Sequence, residues 1–326
     1  MKTHNTEPVI VCSKCLGFAA CRYNGEIIPA PYIEKLGKFC RIITVCPEVS
    51  IGLPVPRKPL RLVKVKDKLN LIQSETEIDW TDKMEKFSRE FLDNLGEAHG
   101  FILKYKSPSC GMLAAKYYSS MEKGSVAGKG PGLFGKAVKE RFPGHPAETE
   151  TRLTNFSIRE HFLLKLFTLA RFSEVRKSGK PKDLIDFHSE NKLLLLAYHQ
   201  ENMRKMGKII AAQKQNGIKE TIELYEELLI KSFKTGASHN SHINVIEHAA
   251  GYFSEEIKKS EREYIEGLKS DYRGNRAPLS ALRSVICSYI VRFDIEYLKR
   301  QSYFNPYPDG LVEVSDSGKG RDLRHI

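Results

Sequence analysis

The chain has 326 residues, 41% hydrophobic and 28% charged, with a formal net charge of +12. That length suits roughly two domains of about 100–200 residues each, and the composition is that of an ordinary globular protein. No run approaches the ~18 apolar residues of a membrane span, and the start MKTHNTEPVIVC lacks a signal-peptide core, so the reading is a cytoplasmic chain with no membrane partner.

Taken in chain order, residues 8–12 (PVIVC) and 41–46 (RIITVC) read as short buried strands, and 100–104 (GFILK) as a third. Met84, Phe87, Phe91, Leu92 and Leu95 repeat at helical spacing, which predicts a helix over about 81–98 capped by Asp79 or Thr81. Short apolar strands alternating with helices predict a parallel, Rossmann-like α/β sheet. Residues 119–136 are rich in Gly and Lys and suit either a phosphate-contacting loop or a plain connection; a P-loop is excluded because GxxxxGK[ST] is absent. Residues 142–153 (FPGHPAETETRL) read as a domain boundary. Beyond them the pattern is helical: Phe162, Leu163, Leu166, Phe167 and Ala170 form one apolar stripe, Ile222, Tyr225, Leu228, Leu229 and Phe233 another. A third runs from Leu279 through Leu282, Val285, Ile286, Tyr289 and Ile290 to Phe293. The expected organisation is an α/β domain over 1–150, an all-α domain over 151–308, and a polar tail over 309–326.

Six of seven cysteines stand in the first 110 residues: Cys12, Cys15, Cys21, Cys40, Cys46 and Cys110. In a cytosolic protein such clustering indicates metal or redox chemistry rather than structural disulfides. Each predicted strand runs into a cysteine motif (VIVCSKC, ITVCPE, ILKYKSPSC), and sites in open α/β sheets form beyond the carboxyl ends of strands. Three readings fit the pattern. A zinc knuckle has one Cys-x-x-Cys pair, Cys12 and Cys15, but lacks the second. A thiol-redox pair uses the same two residues. An iron–sulfur cluster with three thiolate ligands leaves one iron open to substrate. Spacing alone leaves all three standing.

The runs SKCLGFAACRYNG (13–25), VCPEVSIGLPVPR (45–57) and LKYKSPSCG (103–111) resemble the thiouracil desulfurase (TudS) family over residues 8–150. That resemblance implies a 4Fe-4S iron-sulfur cluster held by Cys15, Cys46 and Cys110. It also points to Glu48 of the CPE run, and Ser107 and Ser109 of the SPSCG run, as catalytic residues. The implied chemistry is hydrolytic and without net redox change. A soft thiocarbonyl sulfur suits the open iron, water attacks the carbon, Glu48 moves the proton, and hydrosulfide leaves. Cys12, Cys21 and Cys40 are additional thiols.

The second half resembles the YbgA-like helical domain through FHSENKLLLLAYHQENMRKMG (187–207), SHNSHINVIEHAAGYF (238–253), DYRGNRAPLSALRSVI (271–286) and YLKRQSYFNPYP (297–308). The fusion resembles tRNA 4-thiouridine desulfidases of the RudS type, which implies thiolated tRNA as substrate and partner, with no obligate protein partner evident. Read from residues alone, this half intersperses His, Lys and Arg with Tyr, and about +6 of the net charge falls in each half. Basic groups neutralise phosphates and aromatic rings stack on bases. Arg273, Arg276 and Arg283 are the candidate RNA contacts, and His239, His242 and His248 a weaker candidate metal site. Two other readings remain: a desulfurase of free thiouracil or another small thiocarbonyl compound, and a non-catalytic metal-cluster module that binds nucleic acid.

Overall fold

A computed structural model describes residues 6–66, 68–121 and 126–313. The stretch beyond residue 313, expected to be a tail, and the middle of the Gly/Lys-rich segment lie outside the described residues. The chain divides into two compact units, one of residues 6–170 with 310–313, the other of residues 171–309.

The first unit contains the expected parallel sheet. Its strands are β1 (Val9–Ser13), β2 (Arg41–Val45), β5 (Gly100–Leu103) and β8 (Ala147–Thr149), in the order β2-β1-β5-β8. β1 is buried at every position, which is why VIVCS reads as an unbroken apolar run rather than an alternating one. Within the 142–153 segment lies β8: AET pairs in parallel with β5 as an edge strand, and its polar residues hid it.

A second, four-stranded sheet was not foreseen. It is formed by β3 (Leu60–Val65), β4 (Lys68–Gln73), β6 (Ala115–Tyr118) and β7 (Val126–Gly130), in the order β4-β3-β6-β7. Four helices belong to this region: α1 (Pro31–Leu36), α2 (Pro47–Ser50), α3 (Thr81–Asp93) and α4 (Leu133–Arg141). The Asp79 carboxylate accepts the Thr81 backbone N–H at 2.8 Å at the start of α3. The helix stops at Asp93 rather than near residue 98, because Gly96 adopts a left-handed backbone (φ 68°) that ends the α-conformation. Met84 and Leu92 of α3 and Phe134 and Val138 of α4 pack with Val11, Leu62, Phe101 and Leu103 in one core.

After β8 the chain is helical: α5 (Phe156–Ser178), α6 (Pro181–Glu190), α7 (Lys192–Ala211), α8 (Gln213–Asn216), α9 (Ile218–Ser232), α10 (His239–Ala250), α11 (Lys259–Arg273), α12 (Leu279–Arg292) and α13 (Glu296–Lys299). The expected stripes supply the buried faces: Phe162, Leu166 and Phe167 in α5, Ile222, Tyr225 and Leu229 in α9, Leu282, Ile286 and Ile290 in α12. No helix among the described residues is long and apolar enough to cross a membrane.

Candidate active site

β1, β2 and β5 lie side by side and run in parallel, so their carboxyl ends open on one edge of the sheet. β1 continues through Lys14 into Cys15, β2 through Cys46 into α2, and β5 into a turn ending at Cys110 and Gly111. Cys15, Cys21, Cys46 and Cys110 line one cavity of about 280 Å³, together with Glu48, Arg57 and Ser107. The remaining cysteines are elsewhere. Cys12 is fully buried within β1, in register with Thr44 and Ile102. Cys40 precedes β2 at that strand's other end, and Cys287 lies on α12. All seven are free thiols.

The turn carrying Cys110 is built by close packing. Backbone N–H groups at the start of α4 donate to it: Gly132 to the Gly111 carbonyl at 2.8 Å, and Phe134 to the Ser109 carbonyl at 2.9 Å. A Cβ on Gly135 would meet the Gly111 oxygen at 2.1 Å, so only glycine permits this approach. The glycines of this end of the Gly/Lys-rich segment thus seat the cysteine turn, and these α4 amides are committed to its carbonyls. The Ser107 hydroxyl accepts the Cys110 N–H at 3.2 Å, and Ser13 Oγ donates to Cys110 Sγ at 3.3 Å while accepting the Lys104 N–H at 2.9 Å.

Burial is the main cause of raised thiol pKa values here, and facing cysteines add to it. Cys15 is held well above the ordinary thiol range by burial and by Cys110, Cys21 and Cys46, with Lys104 opposing. Cys21 is pushed up to about 12 by burial and the adjacent Cys46 thiol. Burial takes Cys110 to about 11 even against hydrogen bonds from Ser107 and Ser13. Thiols this crowded resist ionising together; a cation among them reverses the balance, since a coordinated thiol loses its proton.

Glu48, in the first turn of α2, is fixed on both oxygens. Ser109 Oγ donates to Oε1 at 2.6 Å, and the Arg57 guanidinium meets Oε2 at 2.6 Å. Arg57, with a side chain 3% exposed, also donates to the Cys21 carbonyl at 3.1 Å. Ser109 is fully buried and reaches the cavity through Glu48, whereas Ser107 lines it directly. Sequence reasoning passed over Ser13 and Arg57. Ser13 stands between the paired cysteines of VIVCSKC and Arg57 closes the VCPEVSIGLPVPR run, so both were within motifs already singled out.

The candidate residues of the helical unit do not converge in this way. Arg273 is exposed at the end of α11, and Arg276 is exposed and paired with Asp271 at 2.9 Å. Arg283 is committed internally, donating to the Phe304 carbonyl at 3.1 Å with its guanidinium 5.7 Å from the Tyr303 ring. His242 Nδ1 is 2.9 Å from the Tyr303 hydroxyl, and the His239 ring packs on Tyr272. Among the described residues no three His, Cys, Asp or Glu side chains form a site for a single metal ion.

A thiol-lined cavity at the carboxyl edge of a parallel sheet, with a positioned carboxylate, defines a class of α/β protein built for sulfur or metal chemistry. Comparison with known families gives the rest. Residues 10–150 match the 2-thiouracil desulfurase family, and residues 192–308 match a family described as protein of unknown function, DUF1722. The chain therefore belongs to the 2-thiouracil desulfurase family and carries a DUF1722 domain after the desulfurase domain. It is 29% identical over 158 residues to the uncharacterized protein YbgA of Escherichia coli (strain K12), covering 48% of this chain and 93% of that one. It is 32% identical over 110 residues to the uncharacterized protein YbbK of Bacillus subtilis (strain 168), covering 32% of this chain and 73% of that one. Among solved structures it matches one titled [4Fe-4S]-dependent thiouracil desulfidase TudS. The identity is 27% and the TM-score 0.36, with 45% of this chain and 93% of that chain covered.

Proposed function

We propose that this protein is an iron–sulfur-dependent desulfidase that removes sulfur from 4-thiouridine in tRNA, giving uridine and hydrosulfide without net redox change. One observation carries the reading: Cys15, Cys46, Cys110 and Glu48, drawn from three strand ends, line one cavity. The donor set fits a 4Fe-4S cluster better than a lone ion. Cys thiolates are the usual ligands of such clusters, and three cysteine thiols from separate strand ends face this cavity. Cys15, Cys46 and Cys110 would hold the cluster, which supplies a soft Lewis-acidic iron with no protein ligand.

The chain's own residues do the rest. Glu48 is the one carboxylate lining the cavity, and it accepts a proton from water attacking the thiocarbonyl carbon. Arg57 and Ser109 hold it in a single orientation, so its position is set before substrate enters. Ser107, on the cavity wall, positions Cys110 by accepting its N–H. Ser13 and Ser107 donate to Cys110 and favour its thiolate.

The α/β unit performs the chemistry and the helical unit binds tRNA, with Arg273 and Arg276 as exposed phosphate contacts. A cavity of about 280 Å³ also suits free thiouracil, which is the second reading. Mass spectrometry of nucleosides from thiolated tRNA, before and after incubation with cluster-reconstituted protein, decides between them. Conversion of 4-thiouridine to uridine is expected; turnover of free thiouracil with untouched tRNA would move the assignment to the small molecule.

A further inference from the structure

Four thiols line the cavity, and the cluster reading takes three of them. The fourth, Cys21, is 7% exposed and has no part in the chemistry above. It is not placed like the spare cysteines elsewhere in the chain. Cys46 Sγ donates to the Cys21 carbonyl at 3.7 Å, and the two thiols also meet side chain to side chain. The contact joins residues 25 positions apart and is held from both sides. Cys46 stands between the end of β2 and the first turn of α2. Opposite it, the Arg57 guanidinium donates to the Cys21 carbonyl at 3.1 Å, and the Arg57 backbone N–H to the Tyr23 carbonyl at 2.7 Å. Arg57 is itself fixed by Glu48, so the 21–23 loop stays against the start of α2.

A thiol beside a metal-ligating cysteine has two uses. As a fourth ligand it would close the iron that the substrate needs, which the desulfidase chemistry forbids. As a thiol partner it needs only a neighbour whose sulfur can be oxidised, and Cys46 is that neighbour. Among the four cavity thiols Cys46 alone is half-buried, whereas Cys15, Cys21 and Cys110 are buried. An oxidant entering from solvent therefore meets Cys46 first, with Cys21 held at its side. A thiol oxidised with no partner at hand goes on to sulfinic acid, which thiols do not reverse; with a second thiol in contact it stops at a disulfide. Closing that bond is an intramolecular step between groups already in position.

We propose that Cys21 and Cys46 are a redox-modification site for hydroperoxides, in which Cys21 resolves oxidised Cys46 as a disulfide once the cluster has been lost. The Cys46 sulfur attacks the peroxide, the O–O bond breaks, and a sulfenic acid and an alcohol (water, from hydrogen peroxide) form. The Cys21 sulfur then attacks the Cys46 sulfur, the S–OH bond breaks, and the hydroxide leaves with the Cys21 proton as water. Two thiols have given two electrons to one hydroperoxide, and a dithiol returns them. The disulfide needs only the two thiols; its dependence on cluster loss rests on the desulfidase reading, with Cys46 as a ligand, and the experiment separates the two. Full-length loaded protein is titrated with hydrogen peroxide, and iron per chain is measured beside the cross-linked peptides found by mass spectrometry after alkylation. The Cys21–Cys46 cross-link should be the main one, should appear in step with iron loss, and should vanish with dithiothreitol. After reduction and reloading, the native chain should regain most of its iron. Cys21→Ser, loading normally before oxidation, should regain on the order of fivefold less, because its Cys46 is over-oxidised. A different main cross-link, or equal recovery in Cys21→Ser, overturns the site. So does a Cys21→Ser chain that folds but does not load, which makes Cys21 a ligand. A Cys21–Cys46 cross-link at full iron content instead retains the disulfide and removes Cys46 from the ligand set.

Discussion

The strand-end cavity and the helical unit contain similar polar side chains, yet the fold treats them in opposite ways. At the cavity, Cys15, Cys46, Cys110 and Glu48 are anchored from behind and face a common space. In the helical unit the polar groups are largely turned onto one another. His188 Nδ1 is 3.1 Å from the buried Tyr225 hydroxyl, and His242 meets Tyr303. His199, at a kink in α7, accepts the Asn202 N–H at 3.2 Å, and Arg171 donates to the Pro306 carbonyl at 2.9 Å. Buried polar atoms need partners. A polar inventory therefore becomes a reactive site only where the backbone leaves those atoms aimed at a cavity.

The contrast breaks most sharply at the cysteines. Cys15→Ala, Cys46→Ala or Cys110→Ala should each lose iron and visible absorbance, with turnover falling by on the order of 10³-fold or more. Cys12→Ala, Cys40→Ala and Cys287→Ala should retain both. Full iron content in Cys46→Ala or Cys110→Ala would remove the basis for the assigned ligands. Next in size is Glu48→Gln, expected to keep the cluster spectrum and lower kcat by about 10²–10⁴-fold, the range for a lost proton-transfer group. Normal turnover in that variant would assign proton transfer elsewhere.

The helical unit should instead reveal itself through acid. Burial lowers His188 to about 4, Lys192 adding to the effect, and burial with Arg283 and His239 lowers His242 to about 4. A depressed histidine pKa means the unfolded chain takes up protons that the folded unit refuses. Stability is therefore full above pH 6.5 and is lost as pH falls from 6.5 toward 4, by up to about 3 kcal/mol per histidine. Trp80, the only tryptophan, lies in the α/β unit, whereas most of the helical residues behind the far-ultraviolet signal lie in the helical unit. Denaturant midpoints measured at pH 7.5 and pH 5 should fall more for the helical signal than for Trp80, and equal falls would count against this assignment. The smallest effect is on RNA. Arg273→Gln/Arg276→Gln should lower the salt slope of tRNA binding by about one per arginine while leaving the cluster intact. Arg283 is a poor probe because its removal strips a buried carbonyl of its donor. An unchanged slope would take these arginines out of the RNA contact.

How legible this was depended on burial. β1 and β5 were visible because fully buried strands are apolar throughout, β2 because its half-buried run is β-branched, and α3 because one face alone is buried. The second sheet escaped because its strands expose residues such as Lys64, Lys116 and Lys129, and β8 because AET has no apolar signature. The convergence of three strand ends followed from parallel topology. The support of Glu48 by Arg57 did not, since it depends on how the eight intervening residues fold back.

The dispersal of the cysteines along the chain has an energetic consequence. Cys15 and Cys110 are 95 positions apart and come together only after β1, β2 and β5 have paired, so an unfolded chain presents no comparable site. Any affinity for the cluster is then folding free energy for the α/β unit, by mass action. Chelation or oxidative loss of iron should loosen the α/β unit, so that occupancy of the site sets the lifetime of the domain that contains it.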